Sequence, residues 1–175
     1  MDYTDFLQEK ALAKLNLSFR ILEKLPNGFH KIQSHVVFLP KIYDYLKIKE
    51  NSTNTIELRG KYAKELLSKG GDTIINKTLE KAASFLSIKI GLKIVLYKNI
   101  PLGAGLGGGS ADAAAVFRLL LKIYDIRLSN SKIIKFLLQI GSDVPACYFS
   151  ENLLLGGYGN KITKITNTKK KKWVL

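Results

Sequence analysis

The residues that most clearly suggest a binding or catalytic role lie in a glycine-rich stretch past the middle of this 175-residue chain. Residues 101–111 read PLGAGLGGGSA, and five of the seven positions from Gly103 to Gly109 are glycine. Glycine allows positive φ angles and lets a ligand approach the backbone closely. The N–H groups of such a loop, with the start of the helix predicted after it, form a site for anions. The sequence therefore predicts a polyphosphate-binding loop rather than an ordinary flexible turn.

This loop differs from the two most familiar phosphate-binding motifs. The Walker loop places a lysine directly before its Ser or Thr, whereas Gly109 precedes Ser110 here. The dinucleotide fingerprint opens a parallel βαβ unit near the start of its domain. Here several predicted strands with little helix between them precede the loop, which indicates another class of nucleotide site.

A second group of polar residues lies near the start of the chain. Polar and apolar residues alternate from residue 14 to residue 21, and the apolar face comprises Leu15, Leu17, Phe19 and Ile21. Period two indicates a half-buried strand, which places Lys14 and Asn16 side by side on its other face. Far along the chain, Asp143 precedes Val144 and Pro145, a context that suits a turn or a cap when taken alone.

The elements that must position these candidate residues are strands in the first part of the chain and helices mixed with strands in the later part. The sequence at 26–28 predicts a turn, and the β-branched, apolar run at 32–39 predicts the returning strand of a hairpin. Further strands are predicted over 42–49, 55–59 and 92–97.

Helical patterns begin after the strand predicted over 55–59. The predicted helices are one over 73–86 capped by Asp72 or Thr73, an Ala-rich buried one over 111–123, and one capped by Ser129 or Ser131 that runs to Ile140. Strands first and then a mixture of helices and strands is typical of an α+β fold rather than a doubly wound sheet.

The composition limits the classes of partner. The net charge is +14, which fits either a solvated Lys-rich surface or attraction for anionic ligands. Only four of the cations are arginine, the residue whose fork fits base edges, and no nucleic-acid-binding motif is visible. We therefore expect no nucleic-acid partner.

Membrane and redox signals are equally limited. No apolar run approaches the length of a membrane span, and the acidic first residues lack the features of a signal peptide. Cys147 is the single cysteine, so an internal disulfide is excluded, and its apolar neighbours indicate a core residue rather than a catalytic thiol. We expect a cytoplasmic protein without a membrane partner.

Three segments resemble the GHMP kinase family of small-molecule kinases. Residues 101–111 resemble the family's phosphate-binding loop, 13–17 (AKLNL) its N-terminal motif, and 141–145 (GSDVP) a later motif. The triple glycine is similar to the branch that phosphorylates the 2-hydroxyl of a cytidine diphosphate-linked methylerythritol in non-mevalonate isoprenoid synthesis. The resemblance runs from about residue 12 to the end of the chain.

This resemblance implies an α+β fold of the GHMP kinase N-terminal type, with a mixed or antiparallel sheet and helices packed on one face. It assigns residues 1–175 to the N-terminal ATP-binding domain, without the family's second, C-terminal domain. We therefore expect the chain to be a fragment or a truncated gene product. A homodimer is compatible with the family.

The family also implies the cofactors and their residues. ATP and Mg²⁺ are expected, with Ser110 as the candidate Mg²⁺ ligand. The implied ATP-binding residues are Lys98, Pro101, Leu102, Gly103, Ala104, Gly105, Leu106, Gly107, Gly108, Gly109, Ser110 and Ala111. Lys98 taken alone reads equally well as a solvated loop charge.

The catalytic pair implied by the resemblance is Lys14 and Asp143. A carboxylate can accept the proton of the attacking hydroxyl as a general base. A nearby ammonium keeps that carboxylate ionised and offsets charge that develops on the phosphate.

The substrate site follows from a fourth match, because residues 26–30 (PNGFH) resemble the family's cytidine-binding segment. The resemblance implies that Phe29 stacks on cytosine, that His30 hydrogen-bonds it and that Asn16 contacts the substrate near Lys14. The family usually has Tyr at the position of Phe29, and Phe keeps the stacking face but lacks the hydroxyl.

Two other readings remain open at this point. One is another GHMP kinase, acting on mevalonate, homoserine or a sugar. The other is a non-catalytic basic domain that binds nucleotide or RNA. Salt-sensitive RNA binding without ATP turnover would favour this second reading.

Overall fold

The structure is a computed structural model that describes residues 6–26, 28 and 30–165. Its elements are β1 (Leu7–Lys24), β2 (His30–Glu50), β3 (Thr55–Arg59), α1 (Ala63–Ser68), α2 (Thr73–Leu86), β4 (Leu92–Tyr97), α3 (Gly108–Ile123), α4 (Asn130–Leu137), α5 (Val144–Phe149), β5 (Leu153–Gly156) and β6 (Lys161–Lys164). Helices cover one face of a single mixed sheet, so the predicted α+β class is confirmed. Within the described ranges, no helix combines the length and the apolarity needed to cross a membrane.

The sheet is organised around the long strand β2. Its order is β3-β4-β2-β5-β6, and β1 pairs with the other edge of β2. Among the strands within the described ranges, only β3 and β4 run parallel, and the other pairs are antiparallel. Because β2 carries β4 near one end and β5 near the other, it extends from one side of the domain to the opposite side.

The separate strands predicted over 32–39 and 42–49 are one continuous strand, and the predicted break is wrong. The register with β1 shifts there, because Leu12 pairs with Tyr43 whereas Ala13 pairs with Leu39. The extra residues form a β-bulge that contains Pro40, which has no N–H to donate to a partner strand.

The core lies between this sheet and the helices. Helix α3 is buried over most of its length, as predicted, and it begins three residues earlier than predicted because Gly108 and Gly109 adopt helical backbone. Inward side chains of β2 and β4, including Leu46 and Ile94, pack in the same cluster. Cys147 belongs to this cluster with 1% exposure, so the prediction of a core thiol is confirmed.

The helix boundaries follow their caps. The Asp72 carboxylate accepts a hydrogen bond from the Ile75 N–H at 2.6 Å and caps α2, as predicted. Ser129 caps α4, which ends at Leu137 rather than at the predicted Ile140. Helix α5 was not predicted, since Pro145 suggested a turn; its position in the first helical turn is one that proline tolerates.

The far half of the β1–β2 hairpin, residues 18–24 and 30–33, forms a two-stranded arm. The predicted burial of its apolar face is wrong, because Phe19 is 53% exposed and Ile21 is 61% exposed. Strand β5 pairs with β2 only at residues 34–36, so no described strand continues the sheet along this arm.

Candidate active site

The glycine loop forms one wall of a cavity of about 360 Å³. Lys98 and residues 101–110 line this wall, and Leu66 with residues 71–74 line the other. Ala111 alone of the predicted ATP-binding residues does not line the cavity, since it is buried in α3. The first residues of both α2 and α3 border the same space. The positive ends of two helix dipoles therefore face one cavity, as a polyanion requires.

The loop backbone uses the freedom that glycine provides. Gly103 and Gly105 have φ angles of +70° and +72°, and a Cβ added at either residue would meet no atom within 4 Å. Their Cα atoms therefore face open space from which a ligand can approach the backbone.

Lys14, Asn16 and Asp143 come together beside the loop. The Lys14 ammonium lies 3.0 Å from the Asp143 carboxylate and donates to the Asn16 side-chain oxygen at 3.4 Å. Lys14 and Asn16 thus share a face of β1, as their spacing predicted. The backbone N–H of Lys14 donates to the Leu106 carbonyl at 2.9 Å, which fixes this part of β1 to the glycine loop.

The Asp143 carboxylate is available for chemistry. The residue occupies the N-cap position of α5, but its side chain makes no capping hydrogen bond. It is 44% exposed, whereas the side chain of its partner Lys14 is only 7% exposed. The ammonium is held in place, and the accessible carboxylate beside it is open to a substrate hydroxyl.

Lys98 lies at the opposite end of the loop in a buried cluster of charges. Its ammonium is 2.5 Å from a carboxylate oxygen of Asp44 and 2.5 Å from one of Asp112. Lys98 is 2% exposed, and both carboxylates are fully buried. We call these three residues the buried triad.

The buried triad ties the two ends of the loop together. The second oxygen of Asp44 accepts the backbone N–H groups of Asn99 and Ile100 at 2.5 and 2.7 Å, directly before the loop. Asp112 lies in α3, directly after the loop. One ammonium therefore connects the strand that enters the loop to the helix that leaves it.

The triad carries one more carboxylate than ammonium. Burial raises the pKa of Asp112 well above its usual range, against the opposing effect of Lys98, and Asp44 raises it further. Burial alone would lower the pKa of Lys98, but Asp112 and Asp44 outweigh it and the pKa is raised. The Oδ1 atom of Asp112 is buried and has no hydrogen-bond partner. Asp112 is therefore the carboxyl group of the triad that most readily holds a proton.

Sequence reasoning missed Asp44 and Asp112, although both gave a signal. Asp112 lies among buried alanines of α3, and Asp44 falls on the inward face of β2 with Leu46 and Ile48. A charge on a face that is otherwise apolar is rarely buried without a partner. That rule could have predicted a buried partner for each aspartate, although it does not identify Lys98.

Of the predicted substrate residues, Asn16 lies beside Lys14, whereas His30 lies apart from the catalytic pair. His30 is exposed and pairs with Lys24, whereas Lys14 pairs with Phe38. The ten residues of β1 between Lys14 and Lys24 span at most about 33 Å at the rise of a strand, and the bulges shorten that path. Phe29 lies outside the described residues.

No group of three or more His, Cys, Asp or Glu residues arranged to hold a metal ion occurs in the part of the chain that the structure describes. Ser110 is the third residue of α3 and lines the cavity. A divalent ion at this site would therefore need ligands from a bound polyphosphate in addition to a protein hydroxyl.

Comparison with known proteins gives a consistent relationship. Residues 73–151 match the family described as GHMP kinases N terminal domain. The chain is 35% identical over 161 residues to the 4-diphosphocytidyl-2-C-methyl-D-erythritol kinase of Caldicellulosiruptor saccharolyticus, covering 92% of this chain and 54% of that protein. A Clostridioides difficile protein of the same name is also 35% identical, with 92% and 53% covered. The chain spans about half the length of the curated relatives it matches.

Solved structures share the fold. A crystal structure of 4-(cytidine 5'-diphospho)-2C-methyl-D-erythritol kinase matches with a TM-score of 0.69 at 24% identity, over 91% of this chain and 55% of that one. The Methanococcus jannaschii mevalonate kinase matches with a TM-score of 0.67 at 16% identity, over 95% of this chain and 57% of that one.

Proposed function

We propose that this chain, in which residues 73–151 match the GHMP kinases N terminal domain family, supplies the ATP site and the catalytic pair of an ATP-dependent small-molecule kinase. The proposed reaction transfers the γ-phosphate of ATP to the 2-hydroxyl of 4-diphosphocytidyl-2-C-methyl-D-erythritol. The observation that carries the proposal is the Lys14–Asp143 pair, fixed beside a glycine loop by the bond from the Lys14 N–H to Leu106.

The chemistry follows from the exposure of the two side chains. Asp143 accepts the proton of the attacking hydroxyl, since its carboxylate is accessible and its oxygens are not used in capping. Lys14 offsets charge on the transferred phosphoryl group. Asn16 orients the acceptor, because its side chain is exposed and lies next to the ammonium.

The polyphosphate of ATP fits the cavity between the glycine loop and the start of α2. Open backbone at Gly103 and Gly105 and the ends of two helices supply its hydrogen-bond donors. Mg²⁺ would be held by Ser110 together with the phosphates, and when bound it neutralises their charge.

The acceptor is the finer part of the proposal. The names of the relatives at 35% identity favour a cytidine-linked alcohol. Phe29 and His30 are proposed to hold its cytosine through stacking and hydrogen bonding. Mg²⁺ dependence, a homodimer and a cytoplasmic location stay predictions.

The test is phosphoryl transfer by wild type and by Lys14→Met. Because the chain spans about half the length of its relatives, transfer is measured in this chain and in a chimaera in which it replaces the matching half of the Clostridioides difficile protein. We expect Lys14→Met to lower the transfer rate of the chimaera at least about a hundredfold, the low end of acid–base contributions, with ATP affinity largely kept.

The matched control is Lys164→Met. Lys164 also forms an ion pair, with Glu151 at 2.8 Å, but both side chains are about half exposed. This variant should keep its activity, because exposed pairs contribute little. Near-normal transfer by Lys14→Met would remove the catalytic assignment.

A panel of alcohols tests the acceptor separately. We expect transfer to the cytidine-linked methylerythritol and not to mevalonate, homoserine or a sugar. Transfer to one of these three instead would keep the kinase and overturn the substrate.

A further inference from the structure

The glycines of the loop differ in what lies behind them. Gly103, Gly105 and Gly107 have nearly the same backbone, with φ angles of +70°, +72° and +69°. A Cβ at Gly103 or Gly105 would meet nothing within 4 Å, but a Cβ at Gly107 would lie 2.7 Å from Cγ and 3.0 Å from Cε of Lys14. Backbone conformation is therefore shared by the three positions, whereas contact with the candidate catalytic lysine is confined to Gly107.

Lys14 has no room to move away from this contact. Its residue is 5% exposed, its N–H donates to Leu106, and its ammonium is paired with Asp143. The closest atom to the added Cβ is Cγ, near the fixed backbone, rather than the mobile end of the chain. A methyl group at position 107 would therefore push the stem of Lys14 as a whole.

We propose that Gly107 is a positioning residue, which seats Lys14 against the loop so that its ammonium meets Asp143, and that Gly103 and Gly105 serve the nucleotide. This division of roles deepens the proposed function, on which the role of Lys14 rests. The contact between Gly107 and Lys14 does not depend on that function.

The next glycine lies against the second lysine of the site, but at the charged end of its side chain. A Cβ at Gly108 would lie 3.0 Å from the ammonium of Lys98. Two consecutive glycines at the start of α3 thus lie against Lys14 and Lys98, and at Gly108 the neighbouring atoms would have to give way by only a few tenths of an ångström.

The experiment compares Gly107→Ala with Gly105→Ala in the 175-residue chain. Both substitutions place alanine at a positive φ and carry the same backbone strain, so their difference isolates the contact with Lys14. Each is made in wild type, in Lys14→Ala, which removes the stem, and in Lys14→Met, which keeps the stem without its charge. The free energy of unfolding is measured by denaturant titration, and ATP affinity by calorimetry.

In wild type, we expect Gly107→Ala to raise the unfolding equilibrium constant about tenfold more than Gly105→Ala does, which corresponds to about 1.4 kcal/mol. The excess should persist in Lys14→Met and disappear in Lys14→Ala. Equal effects of the two glycine substitutions in all three backgrounds would overturn the proposal, because strain alone would then explain Gly107.

Ligand measurements separate positioning from a merely structural role. Gly105→Ala should weaken ATP binding more than Gly107→Ala does, whereas Gly107→Ala should lower the single-turnover rate of the chimaera at saturating ATP more than Gly105→Ala does. The reverse pattern would assign Gly107 to the nucleotide and sink the proposal. If the wild-type chimaera transfers no phosphate, the proposed function fails, while the unfolding and ATP-affinity comparisons still decide the role of Gly107.

Discussion

Replacing Lys98 by methionine separates two roles that the sequence left open for it, a ligand of the nucleotide or a loop charge. The structure gives its ammonium two buried carboxylate partners, Asp44 and Asp112, at 2.5 Å each. Methionine keeps most of the stem and removes the charge. Two carboxylates would then remain buried without a cation at the base of the glycine loop.

The magnitude follows from the burial of all three groups. Breaking a buried ion pair by removing one partner typically costs about 3–5 kcal/mol. A domain of this kind has a total stability of about 5–15 kcal/mol. We therefore expect Lys98→Met to lose a large share of its stability in denaturant titrations followed by circular dichroism, and to bind ATP weakly because the loop is no longer tied at both ends.

Asp112→Asn is the matched variant, and it should not lower the stability as Lys98→Met does. It removes the carboxyl group whose pKa burial raises, and an amide can still accept from Lys98 through its oxygen. We expect its stability near pH 7 to equal or exceed that of wild type. Adding it to Lys98→Met should restore part of the lost stability, because one of the two carboxyl groups left without a cation is gone.

The difference in stability between wild type and Asp112→Asn should change with pH in a definite direction. The folded pKa of Asp112 is raised, so between the ordinary carboxyl pKa of about 4 and that raised value the folded state binds more protons than the unfolded state. This group therefore lowers the stability of wild type as the pH rises through that window. Asp112→Asn lacks the effect, so its stability relative to wild type should increase from about pH 4 upward.

Two results would refute this reasoning. If Lys98→Met stays within about 1 kcal/mol of wild type but loses ATP affinity more than about tenfold, Lys98 is a nucleotide ligand and not a structural tie. If Asp112→Asn is strongly destabilised at neutral pH, the charged carboxylate is required and the triad has been assigned the wrong protonation.

Three further predictions concern the substrate, the thiol and the arm. Phe29→Ala should weaken binding of the cytidine substrate by roughly 1–3 kcal/mol and leave the KM for ATP unchanged; a loss of ATP affinity instead would move Phe29 to the nucleotide side. Burial, with a smaller effect of Asp143, raises the pKa of Cys147 to about 12. A thiol reagent at pH 8 should therefore modify Cys147 only after unfolding, and rapid labelling of the native protein would contradict its burial. Exposed Phe19 and Ile21 should promote self-association of the chain, and Phe19→Lys with Ile21→Lys should reduce its apparent mass in sedimentation; an unchanged mass would exclude the arm as the contact.

Local patterns predicted the elements that position the site. Period two at 14–21, the cap at Asp72 and the apolar run of α3 each depend on neighbouring residues, and each matches the structure in kind. The break predicted after residue 39 and the turn suggested at Asp143 are both wrong, and both lie next to a proline, Pro40 and Pro145. In both places the chain accommodates the missing N–H, once in a bulge and once in a first helical turn.

The features that could not be predicted depend on distant parts of the chain. Asp44 and Asp112 are 68 residues apart in sequence, and only the fold brings both to Lys98. The exposure of Phe19 depends on where β5 stops pairing, which period two in β1 does not encode. The contact of Gly107 with Lys14 likewise joins two segments whose local patterns are independent.

The central claim is that Asp143 acts as the base in phosphoryl transfer beside the glycine loop. Its most direct test is the single-turnover rate at which the chimaera transfers labelled γ-phosphate from ATP to the cytidine-linked methylerythritol, with wild type and Asp143→Asn both saturated with ATP. The amide keeps the size of the side chain and removes its ability to take a proton, so we predict a rate at least about a hundredfold lower than wild type. Equal rates at equal ATP occupancy would contradict the account.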